Sequence, residues 1–148
     1  MLMISIVHND ALLVATELRP VLLRLARELR RETIELGVTA RQATLLALVE
    51  ARPEITTSEL AAAEGVSVPS MSRHVERLDS LGLVERVRSS ADRRRVALVL
   101  TTRGAATLRA VRERRTAWLA ARLEHLDDAN RALVAAAVPA LVQLVEAS

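Results

Sequence analysis

ITTSELAAAEGVSVPSMSRHVERLDSLGLVERVRSSADRRRVALVL, residues 55–100, reads as two short helices around a turn, followed by a hairpin whose loop is crowded with arginine. Thr56 and Glu59 have the three-residue spacing of a capping box, in which each residue satisfies a free backbone N–H of the other. The run Ser58 to Glu64 offers Leu60 and Ala63 to a core and stops at Gly65. Ser67 can cap a second helix, and Pro69 is tolerated in its first turn. This is helix-turn-helix spacing.

In the second helix Met71, Val75 and Leu78 recur at intervals of four and three, enough to fasten one stripe to the domain. The other side carries Ser70, Arg73, His74 and Arg77, with Ser72 and Glu76 at its margins. Short hydroxyls near a helix N-terminus and arginines along one side suit a major groove, where both reach phosphates or base edges. A solvated helix face has the same composition, so the hairpin that follows decides the reading. Val84 to Arg88 alternates as a strand, Val96 to Leu100 is a second β-branched and aliphatic run, and Ser89 to Arg95 forms the loop between them. An arginine at such a tip can enter a minor groove. Asp92 repels phosphate and is expected instead to fix a neighbouring guanidinium through a bidentate pair.

The chain resembles the MarR family of winged helix-turn-helix transcriptional regulators. The resemblance rests on Glu59-Leu60-Ala61 through the glycine turn, Ser72-Arg73 and Val75-Glu76-Arg77-Leu78, Gly82 to Arg86, Asp92-Arg93-Arg94 in the wing, and Thr101 through Gly104 opening the next helix. These features keep the family's order over some 46 residues (55–100) and the helix after them, and the flanking helices match its layout. The resemblance implies a mainly α fold with a small β-hairpin: a winged helix-turn-helix plus long N- and C-terminal dimerisation helices. It implies one MarR-like domain over residues 1–148, with the DNA-binding region near 39–100 and the dimerisation region near 1–34 and 102–148.

Composition agrees without requiring that assignment. Hydrophobic residues make up 51% of the 148-residue chain, yet Phe and Tyr are absent and Trp118 is the only aromatic, so the core must be aliphatic. Every long basic side chain is arginine, and the formal charge of +3 is small, so local placement matters more than the total. The absence of cysteine removes disulfides, thiolate ligands and thiol redox sensing. No stretch is expected to reach transmembrane length without interruption, and Met1 to Val7 lacks the context of a secretory signal. No membrane partner and a cytoplasmic location are therefore expected.

Taken in order, Val7, Ala11, Val14, Leu18, Leu22, Leu25 and Leu29 give a long first helix an apolar stripe, with Pro20 a potential kink. Arg19, Arg24, Arg27, Arg30 and Arg31 interleave with Glu17, Glu28 and Glu32 as an exposed face relieved by ion pairs. A turn at Glu35 to Val38 leads to a short helix opened by Thr39 and Gln42 and stopped at Ala51-Arg52-Pro53. After the hairpin, Thr101 or Thr102 caps a long helix carrying Leu108, Val111, Trp118 and Leu119, and Asp127 or Asp128 starts a last one. There Leu133, Ala137, Leu141 and Leu144 form one stripe, with Val134, Val138, Val142 and Val145 beside it and Pro139 inside. Three long apolar helices exceed what a small winged helix needs, and the resemblance explains the surplus as a homodimer that matches an inverted-repeat DNA site.

The resulting function is sequence-specific binding of double-stranded DNA, as a repressor rather than an activator, with no chemical step. Ser67, Ser70 and Ser72 position phosphates; Arg73, His74 and Arg77 divide between base edges and backbone; Arg94 enters a minor groove held by Asp92; Arg93 and Arg95 contact phosphate or simply solvate the loop. The family likeness bears particularly on Ser72, Arg73, Asp92 and Arg94. Arg86 and Arg88 either flank the groove or pair with Glu85 or another surface acid. No serine elbow or ordered triad suggests an enzyme, and His8, His74 and His125 do not form a metal-ligand pattern, so neither cofactor nor metal is expected. The resemblance also implies a small lipophilic or phenolic effector in a cleft between winged helix and dimer helices, for which Val14, Leu18, Leu46 and Leu108 offer an aliphatic lining. Met1, Met3 and Met71 could oxidise, although Met71 reads as core. Two other readings use the same fold: an architectural DNA binder with little sequence discrimination, and a protein-interaction module that has lost DNA recognition.

Overall fold

A computed structural model describes residues 2–146, with side chains from residue 10 onward. Val7 of the first stripe, Met1, Met3 and His8 lie outside the described side chains. Six α-helices and a two-stranded sheet follow in the order α1 (Leu2–Arg31), α2 (Ala40–Ala51), α3 (Thr57–Glu64), α4 (Val68–Ser80), β1 (Val84–Arg88), β2 (Val96–Leu100), α5 (Thr102–Glu124) and α6 (Asp128–Glu146), with a 3₁₀ turn at Ile34–Leu36. The fold is thus mainly α, with one small hairpin and long helices flanking a winged helix-turn-helix.

Local chemistry sets the element boundaries. Both capping boxes are present: Thr39 with Gln42 opens α2, and Thr56 with Glu59 opens α3. Gly65 ends α3 in the left-handed region at φ 64°, where a side chain would be strained. Ser67 caps α4 by accepting from the Ser70 N–H, with Pro69 in the first turn. Thr101, not Thr102, caps α5. Antiparallel pairing sets Val84 opposite Leu100 and Arg88 opposite Val96. A third segment joins the sheet edge, because the Leu98 N–H donates to the Ile55 carbonyl at 2.8 Å and Thr56 bridges Ala97.

The core is aliphatic and lies beneath the helix-turn-helix. Leu45, Leu46, Leu60, Met71, Val75, Leu78 and Leu98 are fully buried, and Leu108 and Val111 bring α5 against the same cluster. Removing such side chains from water at roughly 25 cal/mol per Å² is the main force holding the winged helix-turn-helix together. In α3 the core takes Leu60 and Ala61, whereas Ala63, the expected partner, faces solvent. Ala61 lies beside Leu60, so the short helix is rotated by about a quarter turn, roughly 80°, relative to the three-residue spacing of the expectation.

Arginine ties α5 to the preceding elements. Arg112 pairs with Glu50 of α2 at 2.6 Å, Arg114 pairs with Glu32 at 3.4 Å and also with Glu35, and the Arg115 Nε donates to the Leu29 carbonyl at 3.1 Å. Burial and the neighbouring Arg30 charge pull the Arg115 guanidinium below its ordinary pKa. On α1, Glu28 pairs with Arg31 at 3.2 Å and with Arg27 at 3.8 Å, while Glu32 turns to α5.

The terminal helices are bare. Leu12, Leu13, Val14, Val21, Leu22 and Leu23 of α1 are exposed, as are Leu133, Val134, Val138, Val142, Leu144 and Val145 of α6. The start of α6 is tethered to the end of α5, where the Arg131 guanidinium donates to the carbonyls of Leu123 at 3.1 Å and Leu126 at 2.9 Å. Helix α6 is continuous through Pro139 and, by length and composition alone, apolar enough to cross a membrane. This differs from the expectation that no stretch reaches such length, because the proline does not end the helix.

Candidate nucleic-acid interface

Helix α4 owes its orientation to three side chains. Met71, Val75 and Leu78 are almost completely buried and fix the rotation of α4 about its axis. Arg73 and Arg77 are consequently exposed, and Ser70, Ser72 and His74 are half-buried along the flank. Ser67 stands exposed at the N-terminus, where its hydroxyl accepts the Ser70 N–H at 3.4 Å. An N-terminus of this kind favours anions through its unpaired N–H groups and the helix dipole.

The wing rises from β1 and β2 and is braced at two points. Glu54 Oε1 accepts from the Ser89 hydroxyl at 3.0 Å, the Ser90 N–H at 3.0 Å and the Ser90 hydroxyl at 3.1 Å. These bonds, led by the Ser90 backbone donor, hold the Glu54 carboxyl below its ordinary value of 4.5. The second brace joins Arg95 to Glu59 of α3 at 2.6 Å. Glu59 is likewise depressed, first by the Thr56 backbone N–H and then by Arg95.

The arginines near this surface fall into two groups. Arg86 is paired with Asp79 at 3.3 Å and Arg95 with Glu59, whereas Arg73, Arg77, Arg88, Arg93 and Arg94 enter no ion pair among the described residues. The unpaired group is exposed on α4, at the end of β1 and at the wing tip. Charge that the protein leaves uncompensated at a surface is available to neutralise phosphate.

Comparison with known proteins matches this fold. The MarR family profile matches residues 36–95. An uncharacterized HTH-type transcriptional regulator of Mycobacterium bovis is 32% identical over 140 residues, spanning 95% of this chain and 97% of the relative. The chain belongs to the MarR family. Among solved structures, a Pseudomonas aeruginosa protein classed as a transcriptional regulator aligns with TM-score 0.80 and 31% identity, over 93% of this chain and 96% of its own. Wild-type Escherichia coli MarR in its apo form aligns with TM-score 0.69 and 25% identity, over 86% and 96%. As a MarR-family member the protein is a DNA-binding transcriptional regulator, and it is not an enzyme. No group of His, Cys, Asp or Glu side chains among the described residues could hold a metal ion.

This MarR-family chain departs from the sequence-based expectation at the wing. Among the described residues Asp92 pairs with no guanidinium: its Oδ1 accepts the Arg94 backbone N–H at 2.9 Å, and its carbonyl accepts the Arg95 N–H at 2.9 Å. An aspartate reaches the backbone two residues on more readily than a flexible exposed arginine head, because less conformational entropy is lost. Arg95, expected on phosphate, is engaged by Glu59 instead. Arg86 pairs with Asp79, a surface acid, which is one of the two outcomes the sequence allowed for it.

The four aliphatic residues proposed for an effector site are dispersed in burial. Leu46 and Leu108 belong to the core, Leu18 is half-buried and Val14 is exposed on α1. The cleft under the wing, about 680 Å³, is lined by Arg52, Glu54, Glu59, Ser89, Asp92 and Arg95 among others, and one beside Trp118 by Val21, Arg24, Leu25, Glu28 and Arg122. In the latter, Arg122 stacks on the Trp118 ring at 3.6 Å. Glu54 had no signal in the sequence beyond its place after Pro53, since the contacts it makes lie 35 and 36 residues away.

Proposed function

We propose that the protein is a homodimeric, sequence-specific repressor that binds an inverted-repeat operator, with α4 in the major groove and the wing tip in the adjacent minor groove. The observation that carries this reading is the separation of arginines: those facing the body of the reading head are paired, and Arg73, Arg77, Arg93 and Arg94 on the outer side are left for DNA. Ser67, Ser70 and Ser72 position phosphates at the N-terminus of α4. Arg73 reads a base edge, His74 and Arg77 divide between bases and backbone, and Arg94 enters the minor groove with Asp92 shaping its backbone.

Regions 1–34 and 102–148 supply the dimer interface. The exposed large apolar side chains of α1 and α6 support this, since exposed apolar patches mark association surfaces. A second copy would cover them, and a two-fold protein then places its reading helices about one DNA turn apart, roughly 34–36 Å. A small lipophilic effector that shifts the two heads relative to each other would relieve repression.

Competition binding tests the reading. A repressor prefers one inverted repeat over scrambled duplex by orders of magnitude, and an architectural binder follows salt and DNA length. A protein-interaction module binds neither duplex.

A further inference from the structure

The route from the body of the reading head to the wing tip runs through one carboxylate. Glu54 sits at φ 62°, the only non-glycine residue with positive φ among those described. A side-chain-bearing residue holds that left-handed conformation only where its surroundings fix it. Here the surroundings are Ser89 and Ser90, the first two residues of the wing loop, both hydrogen-bonded to the same carboxylate oxygen.

Ser89 is the relay. It is 4% exposed, and while its hydroxyl donates to Glu54 its oxygen accepts the N–H of Ala91 at 3.2 Å and of Asp92 at 3.3 Å. A hydroxyl has one donor and two acceptor sites, so Ser89 is fully used. Asp92 in turn accepts the Arg94 N–H at 2.9 Å. A continuous series of hydrogen bonds therefore links Glu54 to the backbone of Arg94.

We infer that Glu54 is a positioning residue for DNA recognition, setting the orientation of the wing so that Arg94 is pre-aligned without Glu54 contacting DNA. This rests on the proposed role of Arg94 in the minor groove. Without the carboxylate the tip keeps the β1–β2 ladder and the Arg95 brace but loses the relay that fixes residues 89–94. Ordering the loop is then added to the cost of binding.

A double-mutant cycle tests this with a duplex selected by the wild-type protein from a random pool. Glu54→Gly removes the side chain at a backbone position that glycine accepts without strain. Ser90→Ala is an exposed change that removes one of the bonds and, as a surface substitution, is expected to leave the fold intact. Anisotropy titrations are expected to show about tenfold weaker binding for Glu54→Gly and about threefold for Ser90→Ala, from the loss of hydrogen bonds to a charged acceptor. Arg94→Ala weakens binding, and adding Glu54→Gly to it causes no further loss, because the positioned group is gone. Faster amide exchange at Ser90, Ala91 and Asp92 accompanies the loss in Glu54→Gly.

Wild-type affinity in both Glu54→Gly and Ser90→Ala, beside a weakened Arg94→Ala, overturns the positioning role and leaves the wing reading standing. Fully additive losses overturn it too, since Glu54 would then act independently of Arg94. Wild-type affinity in Arg94→Ala overturns the wing reading and the inference with it. Should Glu54→Gly not fold, the cycle of Ser90→Ala with Arg94→Ala decides by the same criteria.

Discussion

Replacing Gly104 with alanine should destabilise the protein although it puts a better helix former into α5. A β-carbon there would lie 1.9 Å from the Leu83 carbonyl oxygen, 2.9 Å from its carbonyl carbon and 3.3 Å from its α-carbon. All three are backbone atoms at the entry to β1, so no side chain can swing aside, and α5 must separate from β1 by about 1 Å or more for ordinary contact. The same junction carries the Thr101 N–H on the Leu83 carbonyl at 3.2 Å and the Thr101 hydroxyl on the Gly82 carbonyl at 2.6 Å. Overpacking at about 1–3 kcal/mol and weakening of two hydrogen bonds at about 1 kcal/mol each outweigh a propensity gain of at most about 1 kcal/mol. The net loss is about 2–4 kcal/mol, which lowers the urea midpoint by about 1–2 M at the slope typical of small proteins. Wild-type and variant are compared by equilibrium denaturation at one protein concentration, since association would shift the midpoint. An unchanged or raised midpoint would refute the close approach of α5 to β1.

Further expectations concern the surface and the ends of the chain. Glu59→Gln keeps an acceptor for the capping box but releases Arg95, so binding to non-specific duplex tightens severalfold and the salt slope steepens by about one phosphate contact; anisotropy at several salt concentrations reads both. Val138→Glu places a charge in the apolar face shared with Leu141, Val142 and Val145 and is expected to yield monomers by sedimentation and to weaken operator binding. The Glu54, Glu59 and Asp127 carboxyls are all depressed in the fold. Their contribution is therefore complete above the ordinary carboxylate range, near pH 4.5, and is lost as pH falls through the lower folded values. Denaturation midpoints measured from pH 7 to pH 3 should fall only in that acid window.

Features set by neighbouring residues were legible in the sequence, and those set by distant ones were not. The capping pairs Thr39 with Gln42 and Thr56 with Glu59, the cap at Ser67, the stripe of Met71, Val75 and Leu78, and both strands depend on contacts a few residues apart or on simple periodicity. Ala61 and Ala63 differ only in which side of a two-turn helix meets the core, and composition carries no information about that. At the wing, charge suggested a pairing of Asp92 with arginine, but the aspartate's short reach favours the backbone. The Glu54 latch and the exclusion of a methyl group at Gly104 depend on chain segments far apart in sequence. Pro139 lies inside α6, as its place within the apolar run suggested, and among the described residues nothing covers the apolar face of that helix.

The most direct test of the central claim is a fluorescence-anisotropy competition between an inverted-repeat duplex selected by the protein and a scrambled duplex of equal length, for wild-type and Arg73→Ala, at two salt concentrations. A base-reading dimer should prefer the repeat by at least about a thousandfold and keep that preference at the higher salt, and Arg73→Ala should lose about 1–3 kcal/mol of it. Equal, salt-sensitive binding of both duplexes by both proteins would contradict sequence-specific recognition by α4.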